Sequence, residues 1–143
     1  MFKKTATKPL PAGAKILVRK GERLDKADVL VGELKSVGEE CDCAVFLDQL
    51  DAVKYWVRNL ERRPESSFWL PTSTDRFYPD FVARLTDGRI LVVEFKGEHL
   101  WSNDDSREKR AVGEVWADWS NGACLFVMPK GPDWGAIEAK VRG

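Results

Sequence analysis

The sequence predicts an α/β domain with a mixed central sheet flanked by helices. Three observations predict it. Apolar residues recur at helical spacing within residues 36–50, 107–119 and 132–142. They alternate or run together as strands do within residues 52–57, the hairpin 77–97, and 123–128. The two kinds of segment interleave along the chain, with no internal repeat and no second block of composition.

The 143 residues suit one domain with a proper core. They divide into an N-terminal arm and extended lead-in, residues 1–35, and a folded domain, residues 36–143. With 43% hydrophobic and 32% charged residues, the composition is that of a globular chain, not a disordered one. Lys+Arg and Asp+Glu are both 23, so no net field draws polyanions or membranes. This argues against a free-standing, high-affinity nucleic-acid binder, though not against a domain whose nucleic acid is delivered by a partner. No apolar run approaches the roughly 18 residues that span a bilayer, and the N-terminus lacks the apolar stretch of a signal peptide. Cys41, Cys43 and Cys124 are odd in number and lack C-x-x-C spacing. With His99 the only histidine, the expectation is reduced cysteines in a cytoplasmic protein and no zinc site.

In order, residues 1–14 are rich in Pro, Lys and Thr and read as an arm. Residues 15–20 and 29–35 read as two short strands or an irregular lead-in. Ser36-Val37-Gly38-Glu39 has capping-box spacing, so a helix should begin at Ser36. Glu40 borders its buried stripe with Cys43, Ala44 and Leu47; a boundary glutamate with a packed stem and a solvated head is the plain alternative to a functional acid. Residues 52–57 (A-V-K-Y-W-V) read as a strand. Arg58 to Pro64 read as turn or loop, and residues 67–70 as a short strand before another loop. After the hairpin, Asn103, Asp104, Asp105 and Ser106 are candidate N-caps for a helix over residues 107–119. Its expected apolar stripe is Val112, Val115, Trp116 and Trp119, and Asn121-Gly122 should stop it. Residues 123–128 (A-C-L-F-V-M) suit a strand covered on both faces. A terminal helix over residues 132–142 aligns Trp134, Ile137 and Val141.

The hairpin carries three charged residues, Asp80, Glu94 and Lys96, where buried strands should have none. Its register can be derived. A two-residue Asp87-Gly88 turn places Phe81 opposite Glu94 and mixes charged with apolar side chains on both faces. A three-residue Thr86-Asp87-Gly88 loop with Gly88 left-handed gathers Phe81, Ala83, Leu85, Leu91, Val93 and Phe95 on one face. Since a one-residue slip exchanges faces, burial selects the second register. Asp80 then stands opposite Glu94, with Lys96 two residues further along the same face. At about 4 Å and an effective dielectric near 20, two such carboxylates repel by about 4 kcal/mol. Stability alone would not favour this pair. One carboxyl must hold a proton, or a cation must lie between them. Lys96 can supply part of the compensation and a hard divalent ion such as Mg²⁺ the rest. The alternative is a solvated polar strand face.

Pro79-Asp80 followed on the next strand by Glu94-Phe95-Lys96 resembles the active-site signature of the PD-(D/E)XK nuclease superfamily. The surrounding order of elements is similar to that superfamily's restriction-endonuclease-like αβββαβ core. More specifically, Phe77-Tyr78-Pro79-Asp80-Phe81 with Val93-Glu94-Phe95-Lys96-Gly97 resembles the C-terminal endonuclease domain of type III restriction enzyme Res subunits and related DEAD/DEAH-type helicases. Glu40, Ala44 and Leu47-Asp48, then Trp56-Val57-Arg58-Asn59, are similar to that family's first helix and strand. Lys109-Arg110, Gly113-Glu114 and Trp116 resemble the helix after the motif. The resemblance covers residues 36–128.

It implies Mg²⁺-dependent hydrolysis of DNA phosphodiester bonds, with Mn²⁺ an alternative ion. Asp80, Glu94 and the Phe95 backbone carbonyl would hold the metal. Lys96 would position water or stabilise developing charge, and Glu40 would complete the first or second ring of groups around the ion. Lys109 and Arg107 are candidate phosphate contacts, although a helix lysine is more often simply solvated. Tyr78 and Trp101 are candidates to flank the site and stack on bases, with packing as the plainer role. The resemblance further implies that the chain is an excised C-terminal part of a larger helicase–nuclease, Met1 being an artificial start. Near-zero net charge fits a domain whose DNA is fed by such a motor. The rival readings are a catalytically inactive nuclease-like module for DNA docking or protein interaction, a stand-alone resolvase-type nuclease, and an ordinary α/β domain with an accidental E-F-K.

Overall fold

A computed structural model describes residues 18–19, 22–23, 39–59 and 68–143. Two short strands, β1 (Val18–Arg19) and β2 (Glu22–Arg23), pair antiparallel. The first falls inside the predicted 15–20 segment and the second was not expected. The predicted strand at 29–35 and the Ser36 capping box lie outside the described residues.

The main body begins with helix α1 (Glu39–Gln49) and strand β3 (Val53–Arg58). A small hairpin of β4 (Leu70–Pro71) and β5 (Arg76–Phe77) follows. Next come β6 (Phe81–Leu85), β7 (Ile90–Val93), helix α2 (Asp104–Trp119), β8 (Cys124–Val127) and helix α3 (Gly135–Arg142). The four longer strands form one sheet in the order β3-β6-β7-β8, antiparallel except for the parallel β7–β8 pair. The fold is therefore mixed α/β with a mixed sheet, as the interleaving of periods predicts. No helix among the described residues is long and apolar enough to cross a membrane, and all three cysteines are free.

The alternation along β6 and β7 separates two cores. Phe81, Ala83, Leu85, Leu91 and Val93 face α1 and α3, packing with Leu47, Trp56, Ile137 and Val141. Val82, Ile90 and Val92 face the other way, toward Phe77, Phe126, Val112 and Trp116. The β6–β7 register pairs Phe81 with Val93 and Ala83 with Leu91, which is the register that burial selects. The turn is the three-residue loop: the Leu85 amide donates to the Arg89 carbonyl, the Gly88 amide donates to the Leu85 carbonyl, and Gly88 has φ +94°.

Several features differ from the sequence reading. The predicted strand at 67–70 is instead β4, which pairs with β5 across what was read as a loop, so Phe77 belongs to a separate ribbon. Helix α2 starts at Asp104, not at 107, because Asn103 is the cap: its side chain accepts the Ser106 amide at 2.8 Å. The predicted stripe on α2 is also rotated. Val115 is 53% exposed and Trp119 84% exposed, while Ser106 and Gly113 are buried. The cause lies in close packing. A Cβ on Gly113 would stand 2.4 Å from the Phe126 ring, so the helix meets β8 at its smallest residue and turns its outer apolar residues to the surface. The Asn121-Gly122 stop is as expected, both residues having positive φ.

Candidate active site

The site lies where β6 and β7 cease to be a ladder. The ladder ends at Phe81 opposite Val93, so Asp80 and Glu94 stand one step beyond it, not within buried strands. Pro79 explains the ending. In the continued register Pro79 would pair with Phe95, but proline has no N–H to donate to the Phe95 carbonyl. The Pro79 carbonyl instead accepts the Asn59 side-chain amide at 2.8 Å. With the Pro79 carbonyl taken, Phe95 N–H donates to Asp80 Oδ2 at 2.9 Å, and Asp80 N–H donates to Glu94 Oε1 at 3.1 Å. Each carboxylate is thus anchored by one oxygen to the main chain of the opposite segment. On the other flank, the Glu94 amide donates to the Val127 carbonyl of β8 and the Gly131 amide donates to the Lys96 carbonyl.

The second oxygen of each acid meets a cation at longer range. Asp80 Oδ1 is 3.7 Å from Arg58 Nη2, and Glu94 Oε2 is 3.7 Å from Lys96 Nζ. These groups border an open cleft of about 400 Å³ with an almost wholly polar wall, lined also by Glu40, Arg76, Phe77, Tyr78, Phe95 and Lys109. Lys109 reaches it from α2, its ammonium 5.2 Å from the Phe77 ring centre and 3.1 Å from Asp105.

The predicted repulsion is answered by both protons and cations. Burial, and then the neighbouring Glu40 charge, pushes the Asp80 carboxyl up to about 6; Arg58 and the Phe95 amide pull it back. Glu94 lies well above the usual carboxylate range, first from burial and then from Asp80, with Lys96 and Lys109 opposing. Buried Cys43 is also held above the usual thiol range, by burial and then by Asp80 and Glu40, which marks it as an inert thiol behind the site.

Of the residues that the sequence singled out, Asp80, Glu94, Lys96, Glu40, Phe95, Tyr78 and Lys109 converge on this cleft. Arg107 does not: it is exposed and lines a neighbouring cleft with Arg110 and Lys140. Trp101 is also elsewhere, its indole N–H donating to the Met128 carbonyl while the Arg110 guanidinium lies 3.5 Å from the ring centre. Arg58, Asn59 and Arg76 were missed. Arg58 Nη1 donates to the Asn59 carbonyl at 2.7 Å and the Asp80 carbonyl at 3.1 Å. Its Nε is 2.8 Å from Glu40 Oε2 but its N–H is not aimed there, so that contact is Coulombic. Asn59 is buried and fully used, donating to the Phe68 and Pro79 carbonyls and accepting the Phe68 amide. The signals in the sequence were a polar Arg58-Asn59 pair ending an apolar strand and the resemblance of Trp56-Val57-Arg58-Asn59 to a family strand, neither of which gave these two residues a role.

The donor set suits a hard divalent cation. Asp80 and Glu94 line the cleft, each with one oxygen that takes no main-chain amide, and the Phe95 carbonyl has lost its ladder donor. No group of three or more His, Cys, Asp or Glu side chains among the described residues is arranged around a metal position. Against protein-family models, curated proteins and solved structures the chain finds no match.

Proposed function

We propose that the domain is a metal-dependent endonuclease of the PD-(D/E)XK kind, hydrolysing DNA phosphodiester bonds as part of a helicase-containing enzyme. The observation that carries this reading is the reciprocal anchoring of Asp80 and Glu94 beside Lys96 in a polar cleft. With the small β4–β5 hairpin inserted after β3, the order of helices and main-sheet strands α1, β3, β6, β7, α2, β8 supports it, being the αβββαβ order that the resemblance implies.

Mg²⁺ or Mn²⁺ held by Asp80, Glu94 and the Phe95 carbonyl would supply Lewis acidity toward a phosphate oxygen and a more acidic water. The chain's own residues do the rest. The backbone amides of Asp80 and Phe95 hold the two carboxylates at fixed positions, so little reorganisation is needed when an ion replaces their proton. Lys96 places an ammonium beside Glu94, where it orients water and stabilises negative charge developing on the phosphate. Lys109 and Arg76 add positive charge to the wall that a phosphate backbone would approach.

The test is cleavage of supercoiled plasmid with Mg²⁺ or Mn²⁺. The protein should nick or linearise it, and Lys96→Ala should slow cleavage by about 100-fold or more while still binding the ion. Cleavage unaffected by Lys96→Ala would overturn the assignment. A second reading is favoured by one observation: Arg58, Lys96 and a retained proton already neutralise the acids. That balance also suits an inactive docking module, which would bind no ion and cut nothing even within the full-length protein.

A further inference from the structure

We infer that Arg58 is a positioning residue that keeps Glu40 out of the metal's ligand set, so that the site holds its ion with two carboxylates instead of three. The inference rests on the metal reading of this cleft and concerns a residue to which that reading gives no part.

Glu40 lies in the first turn of α1 and borders the cleft with Asp80 and Glu94. By composition the cleft therefore contains a third acid. Arg58 stands between them, its Nε 2.8 Å from Glu40 Oε2 and its Nη2 3.7 Å from Asp80 Oδ1. The guanidinium is not free to leave. Nη1 is held by the Asn59 and Asp80 carbonyls, and the group lies 5.7 Å from the centre of the buried Phe81 ring.

A planar guanidinium with several fixed donors can engage two main-chain carbonyls and two carboxylates together, which an ammonium on a flexible stem cannot. The carbonyls fix where the positive charge stands, and the charge fixes where Glu40 goes. The contact with Asp80 is longer than a hydrogen bond, so Asp80 Oδ1 stays available while Glu40 is drawn onto Arg58. The same arrangement puts a permanent positive charge beside the ion, which weakens its binding. Fewer carboxylates and an adjacent cation both favour a loosely held ion that keeps several waters, as Mg²⁺ requires.

Mn²⁺ titration by calorimetry of the parent protein, Glu40→Gln, Arg58→Gln and the double variant tests this. Glu40→Gln should change affinity by less than about twofold in the parent, because its carboxylate is not a ligand there and its charge is offset by Arg58, whereas removing the Arg58 charge should raise affinity about tenfold. In the Arg58→Gln background the freed carboxylate binds the ion, so adding Glu40→Gln should remove most of that gain, a non-additivity of about fivefold or more. Equal effects of Glu40→Gln in both backgrounds would overturn the inference, since Arg58 would then act by charge alone. Should Arg58→Gln fail to fold, Glu40→Gln decides by itself: a loss of about threefold or more means that Glu40 is already a ligand. Failure of the metal reading is a different result, in which the parent protein binds neither Mn²⁺ nor Mg²⁺ and the inference falls with it.

Discussion

Asp80 and Glu94 are held in the folded protein at proton affinities above those of free carboxyls, for the same reason at both: burial and a neighbouring negative charge penalise ionisation. An acid whose folded-state pKa is raised binds more protons when folded than when unfolded. It therefore contributes stability below its unfolded value, about 4, that is lost as pH rises through its folded value. For Asp80 the folded value is about 6. Asp80→Asn, a neutral isostere, should gain stability relative to the parent across pH 4–6, by on the order of 3 kcal/mol. Thermal unfolding with a chelator present measures it, and a constant gap would mean that Asp80 is not perturbed. The acids themselves were legible in the sequence because the hairpin register follows from alternation and turn chemistry alone. Arg58 and Asn59 were not legible. Their partners are main-chain carbonyls and amides, whose availability depends on where the ladders stop, and side-chain types carry no record of that.

Among the elements, α2 shows how packing overrides periodicity. Its apolar spacing points to Val115 and Trp119, yet the helix settles on Gly113 because only a residue without a Cβ lets its backbone approach Phe126. Gly113→Ala should gain about 1 kcal/mol of helix propensity and lose more to the clash. The net expectation is a destabilisation of about 2 kcal/mol in urea unfolding, partly recovered when Phe126→Leu is added. A stabilised Gly113→Ala would show that the helix contact is looser than described. The same rotation turns Lys109 toward the cleft and leaves Arg107 facing away. Helical spacing groups Lys109 with Val112 and Trp116, and the contact at Gly113 determines how that group is turned relative to the site. The β6–β7 hairpin behaved in the opposite way. Its loop, its left-handed Gly88 and its two faces all follow from local rules, and the structure has each of them.

Across the whole molecule, equal numbers of positive and negative residues leave little long-range attraction for a polyanion, and Arg58 and Lys96 are engaged locally with the acids of the cleft. An ion that displaces the proton from the acid pair should stabilise the fold by mass action. At ten times its dissociation constant, Mg²⁺ should add about 1.4 kcal/mol, a rise in thermal midpoint of a few degrees near pH 8. The rise should fade below about pH 6, where protons hold the same oxygens. Equal shifts at both pH values would point to binding elsewhere on the surface. The sequence by itself determined the mixed α/β class, the three-residue loop and the opposition of Asp80 to Glu94. Each follows from a short-range period or a turn, and short-range geometry is written in neighbouring residues. Only the tertiary structure decided that the ladder ends at Phe81, that the Asp80 and Phe95 amides clamp the two acids, that Arg58 stands between Glu40 and Asp80, and that Lys109 reaches the cleft. Those outcomes depend on hydrogen bonds and close packing between segments far apart in the chain, where a single small residue or a missing N–H selects the arrangement.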